Sequence, residues 1–215
     1  MRIAWITYDF GEYSLQHVTA MAAEHQVLLV IPRHVLEALT LEVPDGVQTF
    51  AFDGPRLRQP LRQFLSIRKI HARVREFQPD VIHLQHGHLW FNLALWRLRS
   101  YPLVVTIHDP RHHTGDHVSR KTPQWIMDHG FRRADQVIVH GRNLIPEVER
   151  AVGIPRERMH VMPHVAIGEV PAASDPGPPA DNQQTLSVLF FGRIWAYKGL
   201  DYLIDAEPSV ASRIP

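Results

Sequence analysis

The stretch Leu103-Val-Val-Thr-Ile-His-Asp-Pro110 shows the pattern that decides the fold class. Five apolar or β-branched residues form a run of strand length, and two polar residues and a proline follow at once. A nearly continuous apolar strand is typical of a parallel sheet that is covered on both faces. The proline cannot donate a ladder hydrogen bond, so the strand is expected to end before it.

Similar runs recur on both sides of this stretch, with helical stretches between them. The other predicted strands are Arg2–Tyr8, Gln26–Ile31, Val47–Phe52, Val81–Leu84, Gln136–His140 and Met159–Met162. Apolar residues fall at helical spacing between the first two runs and again between the last two. This alternation predicts an α/β domain with a mostly parallel sheet.

Composition limits the classes of function. A formal net charge of +1 argues against whole-chain attraction to nucleic acid, and 45% hydrophobic residues are typical of a globular protein. The chain has no cysteine, which excludes disulfides, a thiolate nucleophile and cysteine-ligated metal sites. Asp9 comes too early for a secretory signal, and no apolar run approaches membrane-spanning length, so we expect a cytoplasmic location.

The chain is expected to comprise more than one unit. Residues 168–185 contain four prolines and no periodic apolar residues, which predicts a linker between a domain at 1–167 and a second unit at 186–215. The second unit is expected to open with a strand at Leu186–Phe191 and to continue into a loop and a short helix. About 30 residues cannot build an independent core, so we expect that a partner supplies the rest, that the piece docks on the first domain, or that the second unit is incomplete.

Polar and glycine-containing loops follow the predicted strands. In parallel α/β sheets, ligands bind beyond the carboxyl ends of the strands. Gly11 is expected where the backbone approaches either a substrate or a neighbouring helix. An alternative for any one of these residues is an ordinary polar loop. The candidates for substrate binding are Gly11, Tyr13, His86, His88, Asp109 and Arg142.

An ordered set of short motifs resembles a known family of enzymes. The motifs are Pro79–His83, Val104–Asp109, Arg133–Val139, Gly153–Pro163 and Phe190–Arg193 with Lys198-Gly199. In this order they resemble the opening portion of a retaining glycosyltransferase of family four, with the GT-B architecture of two Rossmann-like domains. The resemblance implies a doubly wound, mostly parallel, acceptor-binding domain followed by an incomplete second Rossmann-like unit.

Three features depart from the family pattern. Gly11 is followed by Glu12 where the family usually has paired glycines, and His164-Val165 replaces an asparagine-glycine after the seventh strand. The family's Glu-x7-Glu segment, which contacts the donor, is not found before Pro215. The resemblance therefore implies an incomplete form of the enzyme.

The resemblance assigns roles to three residues. It implies that His108 is catalytic and lies near the donor sugar, the alternative being a histidine that merely ends a strand. It implies that Arg193 and Lys198 bind the donor diphosphate, whose negative charge grows as the glycosidic bond breaks. The N-terminus of the following helix adds a partial positive charge. The alternative for this pair is a solvated surface loop.

The function implied is transfer of a hexose, with retention, from a nucleotide-sugar donor to a hydroxyl of a saccharide or lipid-linked acceptor. No cofactor and no metal ion are expected. One alternative is a non-catalytic module that binds a sugar or lipid acceptor. The other is a histidine-rich metallohydrolase, because histidines cluster at 83–88 and 108–117, although no H-E-x-x-H motif is present and no metal ligand is assigned.

Residues 56–75 include seven basic residues and no acidic one. On a helix beginning near Pro60, one side carries Arg62, Lys69 and Arg73, and the opposite side broadly carries Phe64, Ile67, Ile70, Val74 and Phe77. A basic amphipathic helix can make peripheral contact with anionic lipid headgroups at the inner membrane face, which is the less common of two explanations for the pattern. The alternative is the solvated outer face of a packed helix.

Overall fold

The computed structural model describes residues 1–112, 122–165, 188–192 and 194–213. The chain divides into two compact units, the first being Met1–Arg111 with Thr122–Val170 and the second His112–Lys121 with Pro171–Pro215. The predicted linker at 168–185 lies outside the described residues.

Seven parallel strands form one sheet in the first unit. They are β1 (Arg2–Ile6), β2 (Gln26–Pro32), β3 (Val47–Phe52), β4 (Val81–Gln85), β5 (Leu103–Ile107), β6 (Gln136–Val139) and β7 (Met159–Val161). Their order is β3-β2-β1-β4-β5-β6-β7, which confirms the predicted doubly wound, Rossmann-like α/β sheet. The order reverses between β1 and β4, so ligands are expected beyond the carboxyl ends of these strands.

Helices connect the strands. They are α1 (Gly11–Ala22), α2 (Arg33–Leu36), α3 (Pro60–Phe77), α4 (Leu89–Ala94), α5 (Gln124–Arg133) and α6 (Leu144–Val152) in the first unit, and α7 (Leu200–Ala211) in the second. Short 3-10 helices lie at Leu95–Leu98, Arg156–Arg158 and Ala196–Lys198. Among the described residues, no helix combines the length and apolar character needed to cross a membrane.

The sheet is covered on both faces, as the apolar strands predict. Successive strand residues point to opposite faces, so Ala4 and Trp5 of β1 belong to two different hydrophobic clusters. The larger cluster receives Ile70 and Val74 from α3, and the smaller receives Val18 from α1. The two hydrophobic clusters cover the faces of the sheet, and polar side chains can stand beyond the carboxyl ends of its strands.

The face of α3 that packs on the sheet differs from the predicted one at Phe64. The buried positions include Gln63, Ile67, Ile70 and Val74, spaced four, three and four residues apart. Phe64 follows Gln63 by one residue, or about 100° around the helix, and is 47% exposed. Gln63 takes the buried position because its Nε2 donates a hydrogen bond to the Pro55 carbonyl oxygen at 2.7 Å.

The predicted strand at Leu186–Phe191 is wrong for the part that the structure describes, residues 188–191. Val188, Leu189 and Phe191 have exposed side chains. No described strand is hydrogen-bonded to them, and an apolar strand forms only where a neighbour pairs with it and covers it. The helix predicted after the loop is confirmed as α7.

Asn92 of α4 fixes the loop that follows β4 against α5. Its Oδ1 accepts a hydrogen bond from the His88 backbone N–H at 3.2 Å, and its Nδ2 donates to the Ile126 carbonyl oxygen at 3.1 Å. A Cβ atom at Gly130 would lie 2.5 Å from Asn92 Nδ2, and one at Gly87 would lie 2.7 Å from Asn92 Oδ1. Both glycines are therefore needed for this packing.

Replacing Gly130 by alanine should lower the free energy of unfolding by about 1–2 kcal/mol. The clash costs about 2–3 kcal/mol, the upper part of the range for overpacking, because two hydrogen bonds hold Asn92 in place, whereas alanine gains roughly 1 kcal/mol in a helix. Urea unfolding measures the change, and Gly46→Ala is the matched control because nothing lies within 4 Å of its added Cβ. A Gly130→Ala protein as stable as the wild type would contradict the packing.

Candidate functional site

Five aromatic side chains meet at the carboxyl edge of the sheet. We call this group the rim cluster; its members are Tyr13, His86, His108, His140 and His164. The Tyr13 ring centroid lies 5.1 Å from that of His108, 5.4 Å from that of His140 and 5.0 Å from that of His164. The His86 ring lies 6.0 Å from the His108 ring. All of these residues belong to the first unit.

The register of the strands brings the histidines together. Ile107 of β5 is paired with Val139 of β6, so the residues that follow them, His108 and His140, leave adjacent strands at the same level. Their ring centroids are 4.7 Å apart. His164 follows β7, the next strand along the sheet, and its ring is 4.8 Å from that of His140.

The His108 ring is held on two sides. It stacks on Phe10, with centroids 4.0 Å apart and planes 5° from parallel, and its Nε2 lies 2.9 Å from Gln85 Oε1. Burial, and to a lesser extent the neighbouring histidines His86 and His140, lower the pKa of His108 to about 3. The ring is therefore neutral near pH 7 and can exchange hydrogen bonds with a hydroxyl group.

Two residues beside His108 have an unusual backbone. Phe10 and His86 have φ angles of 60° and 58°, in the left-handed region, and Gln78 is the other non-glycine residue with positive φ among those that the structure describes. Such a conformation costs about 1–3 kcal/mol and persists only where the surroundings determine it. Residues in this conformation cluster at functional sites, which favours the rim cluster as one.

The structure brings Tyr13, His86 and His108 together and places the other candidates differently. Gly11 is explained by packing, because a Cβ there would lie 2.8 Å from Val35 Cγ1 in α2, and its contact with a substrate stays a prediction. His88 stacks on Tyr8, with centroids 4.2 Å apart and planes 3° from parallel.

Asp109 and Arg142 are exposed. Asp109 directly follows His108, and Arg142 comes two residues after His140. Their contact with a substrate stays a prediction.

Among the described residues, neither histidine cluster seen in the sequence supplies three mutually close metal ligands by itself. His83 is buried, its Nε2 lies 2.8 Å from Thr106 Oγ1, and its ring stacks on Trp5 at 3.9 Å, so it is a core residue that differs in surroundings from His86 and His88. In the second cluster, His113 and His117 lie outside the described residues.

Sequence reasoning missed His140 and His164. His140 was assigned to the end of a strand, although β6 ends one residue earlier at Val139. His164 was noted only as a departure from the family pattern. The signal that could have found both is a histidine just beyond a parallel strand, where His108 also stands.

The second unit contains one of the two predicted phosphate-binding residues within its described part. Lys198 is exposed, its Nζ lies 5.3 Å from the Tyr197 ring centroid, and it precedes Gly199, the residue that caps the N-terminus of α7. Gly199 has φ 69°, a left-handed conformation that glycine adopts without strain. Arg193 lies outside the described residues.

The doubly wound parallel sheet, with the rim cluster beyond its strand ends, defines a Rossmann-like α/β domain. Residues 11–165 match the family model described as Glycosyltransferase Family 4, and the chain belongs to that family. It is also similar to the alpha-D-kanosaminyltransferase of Streptomyces kanamyceticus, with 29% identity over 129 residues that cover 54% of this chain and 33% of that protein. The chain thus spans about a third of the length of this curated relative.

Solved structures share the fold. The UDP-N-acetylglucosamine 2-epimerase from Rickettsia bellii superimposes with a TM-score of 0.56 at 16% identity, covering 74% of this chain and 43% of that one. The UDP-GlcNAc 2-epimerase from Neisseria meningitidis, bound to UDP-GlcNAc, gives 0.56 at 10% identity over 75% and 45%. A glycosyltransferase from Rickettsia africae gives 0.50 at 10% identity over 75% and 42%.

Acid should destabilise the fold steeply. Burial lowers the pKa of five histidines to about 3 or 4, whereas in the unfolded chain they titrate near about 6.5. The unfolded state therefore binds more protons below that pH, and the stability that these histidines contribute is lost as pH falls from about 6.5 towards 4. The five residues are His17, His71, His83, His88 and His108.

The dependence is measured by urea unfolding at a series of pH values, together with NMR titration of the imidazole protons. When the protein unfolds at about pH 5, these five histidines should together bind about five protons from the solvent. Equal unfolding free energies at pH 7 and pH 5 would show that the five rings are not neutral in the fold.

Proposed function

We propose that this chain contributes the acceptor-binding domain and the first part of the donor domain of a glycosyltransferase. The enzyme transfers a hexose from a nucleotide sugar to a hydroxyl group and retains the configuration at the anomeric carbon. The observation that supports this most directly is the neutral, fixed imidazole of His108 in the rim cluster, in a chain whose family is Glycosyltransferase Family 4.

The proposed reaction passes through an oxocarbenium-like state. The departing diphosphate and the incoming hydroxyl lie on the same face of the sugar, so no protein nucleophile is required. His108 exchanges a hydrogen bond with a sugar hydroxyl or with the reacting centre, and its neutrality suits that role better than a fixed positive charge would. Because two contacts hold the ring, the hydrogen bond is formed without reorientation.

Arg193 and Lys198 stabilise the diphosphate as it leaves. The guanidinium provides a planar fork for phosphate oxygens, and the ammonium provides a point charge. The N-terminus of α7 follows Lys198 by two residues and adds a partial positive charge. These groups stabilise the transition state more than the ground state, because the charge on the diphosphate grows during the step.

Replacing His108 by alanine should lower the turnover of the nucleotide sugar by about 100-fold or more, the range for a positioned proton-transfer or hydrogen-bonding group. Release of the nucleoside diphosphate is followed with a panel of nucleotide sugars and hydroxyl acceptors, in the whole enzyme of which this chain is proposed to be a part. The control is His160→Ala, which removes an exposed histidine of β7 and should leave turnover unchanged.

Wild-type turnover in the His108→Ala protein would refute the role of His108. Binding of an acceptor without turnover of any donor would favour the other candidate, a non-catalytic acceptor-binding module. That candidate requires only the first unit, in which every member of the rim cluster lies.

We also propose that the protein contacts an anionic membrane through α3 and the adjoining 3-10 helix. The Arg97 guanidinium carbon lies 5.7 Å from the Phe64 ring centroid and 5.1 Å from the Trp96 ring centroid, so basic and aromatic groups alternate on this surface. Leu61 and Leu65 are exposed beside them on α3. An adjacent cleft of about 360 Å³ is lined by Arg75, Trp96, Arg97, Arg99 and Ser100.

The basic residues first expected to contact lipid have different surroundings. Arg62 and Lys69 are exposed and remain part of the proposed contact. Arg73 is only half-exposed, donates a hydrogen bond to Gln48 Oε1 at 2.7 Å and pairs with Glu76 at 3.2 Å. Its guanidinium already has two partners, and its contact with lipid stays a prediction.

Reversing the charge of Arg97 should weaken binding to vesicles that contain anionic phospholipid by about 10-fold or more, since each basic residue near such a surface contributes about 1 kcal/mol. Vesicle co-sedimentation of Arg97→Glu measures the effect. The control is Arg150→Glu, which changes the net charge by the same amount at an exposed position of α6. Equal losses in both variants, or equal binding to purely zwitterionic vesicles, would contradict the proposed surface.

A further inference from the structure

Three imidazoles of the rim cluster lie close enough together to bind one metal ion. His108, His140 and His164 follow the adjacent strands β5, β6 and β7, and one ring nitrogen from each lies within 4.8 Å of the other two. Two of them are half-buried and His164 is exposed, so the group is open to solvent at one side. An ion could therefore enter through the side at His164.

Each ring has one nitrogen bound to an oxygen acceptor. His140 Nδ1 lies 3.0 Å from the Met162 carbonyl oxygen, and His164 Nδ1 lies 2.9 Å from the Val165 carbonyl oxygen. Carbonyl oxygens only accept, so both Nδ1 atoms carry the hydrogen and Nε2 is the nitrogen through which each ring can bind a metal ion. Hydrogen bonds of this kind fix the tautomer and the orientation of metal-binding histidines.

His108 has the complementary arrangement. Its Nε2 donates to Gln85 Oε1 at 2.9 Å, which leaves the lone pair on Nδ1. His140 Nε2 is buried and has no hydrogen-bond partner among the residues that the structure describes. A buried nitrogen that offers a lone pair and has no donor is unfavourable unless a ligand satisfies it.

We propose that His108, His140 and His164 form a binding site for a divalent transition-metal ion, with Zn²⁺ as its representative. Three ligands at about 2.0–2.1 Å in a tetrahedral site have nitrogens about 3.3 Å apart, so the rings must close by about 1.5 Å. Rotation of the exposed His164 side chain supplies part of this movement. The group contains no carboxylate, so Mg²⁺ and Ca²⁺, which prefer oxygen ligands, are not bound.

The three rings leave the fourth tetrahedral position open to a water molecule or to an oxygen of a ligand. Bound Zn²⁺ would also occupy the His108 lone pair that a sugar hydroxyl would otherwise use, a consequence that rests on the proposed function. Binding of the ion itself does not depend on that function, because it is measured with no donor or acceptor present.

The test is equilibrium dialysis and calorimetry of the untagged chain with Zn²⁺, with bound metal counted by mass spectrometry. One equivalent should bind, and His140→Gln and His164→Gln should each weaken that binding at least tenfold. His160→Gln also removes one histidine, at an exposed position of β7, and should change the affinity for Zn²⁺ less than twofold. This control separates the site from adventitious binding to the chain's 15 histidines.

Co²⁺ supplies a second measurement, since the intensity of its visible absorption distinguishes a four-coordinate histidine site from a hydrated six-coordinate ion. Circular dichroism checks that each variant is folded. If His140→Gln unfolds, His164→Gln still tests the site, because His164 is exposed and its replacement should leave the fold intact. Absence of a stoichiometric ion would overturn the proposal. So would equal loss of affinity in His164→Gln and His160→Gln. Neither result would bear on glycosyl transfer, which the His108→Ala assay tests separately.

Discussion

The parallel pairing of β5 with β6 and of β6 with β7 is the constraint on which the site depends. Parallel strands in register end at the same edge, so the residue after one strand stands beside the residue after the next. His108 and His140 are neighbours for this reason, although 31 residues separate them in the sequence. A shift of β6 by one residue relative to β5 would separate the two rings and turn His140 towards the other face of the sheet.

Burial gives these histidines their chemical character. The five members of the rim cluster all carry aromatic rings. The desolvation of His108 among them opposes its protonation. A charged imidazolium would be repelled by its histidine neighbours whenever they were charged as well. Burial therefore keeps His108 a neutral hydrogen-bonding group, which suits contact with hydroxyl groups and also with a metal ion.

Much of the fold was predictable from the sequence because its signals are local. The apolar run at Val47–Phe52 matches β3 at both ends, and the run at Leu103–Ile107 matches β5. The errors came where tertiary contacts decide. Phe64 fits an apolar helix pattern, yet Gln63 is buried because Pro55 supplies a partner for its amide, and Leu189 fits a strand that has no described neighbour.

The site was predictable only in part. The position of His108 after a strand indicated its edge of the sheet, but the strand order that makes His140 and His164 its neighbours comes from long-range pairing that no local pattern encodes. Gly11 illustrates the opposite problem. A glycine in a loop after a strand fits both substrate approach and helix packing, and only the distance to Val35 reveals the packing role.

The left-handed backbone of Phe10 and His86 has a consequence for how a ligand would bind. Bulky residues keep such a conformation only when surrounding contacts impose it, so the two loops are already shaped before any ligand arrives. An incoming molecule then loses little conformational entropy by ordering them, and more of its contact energy appears as affinity. The two loops are preorganised by strain in their own backbone.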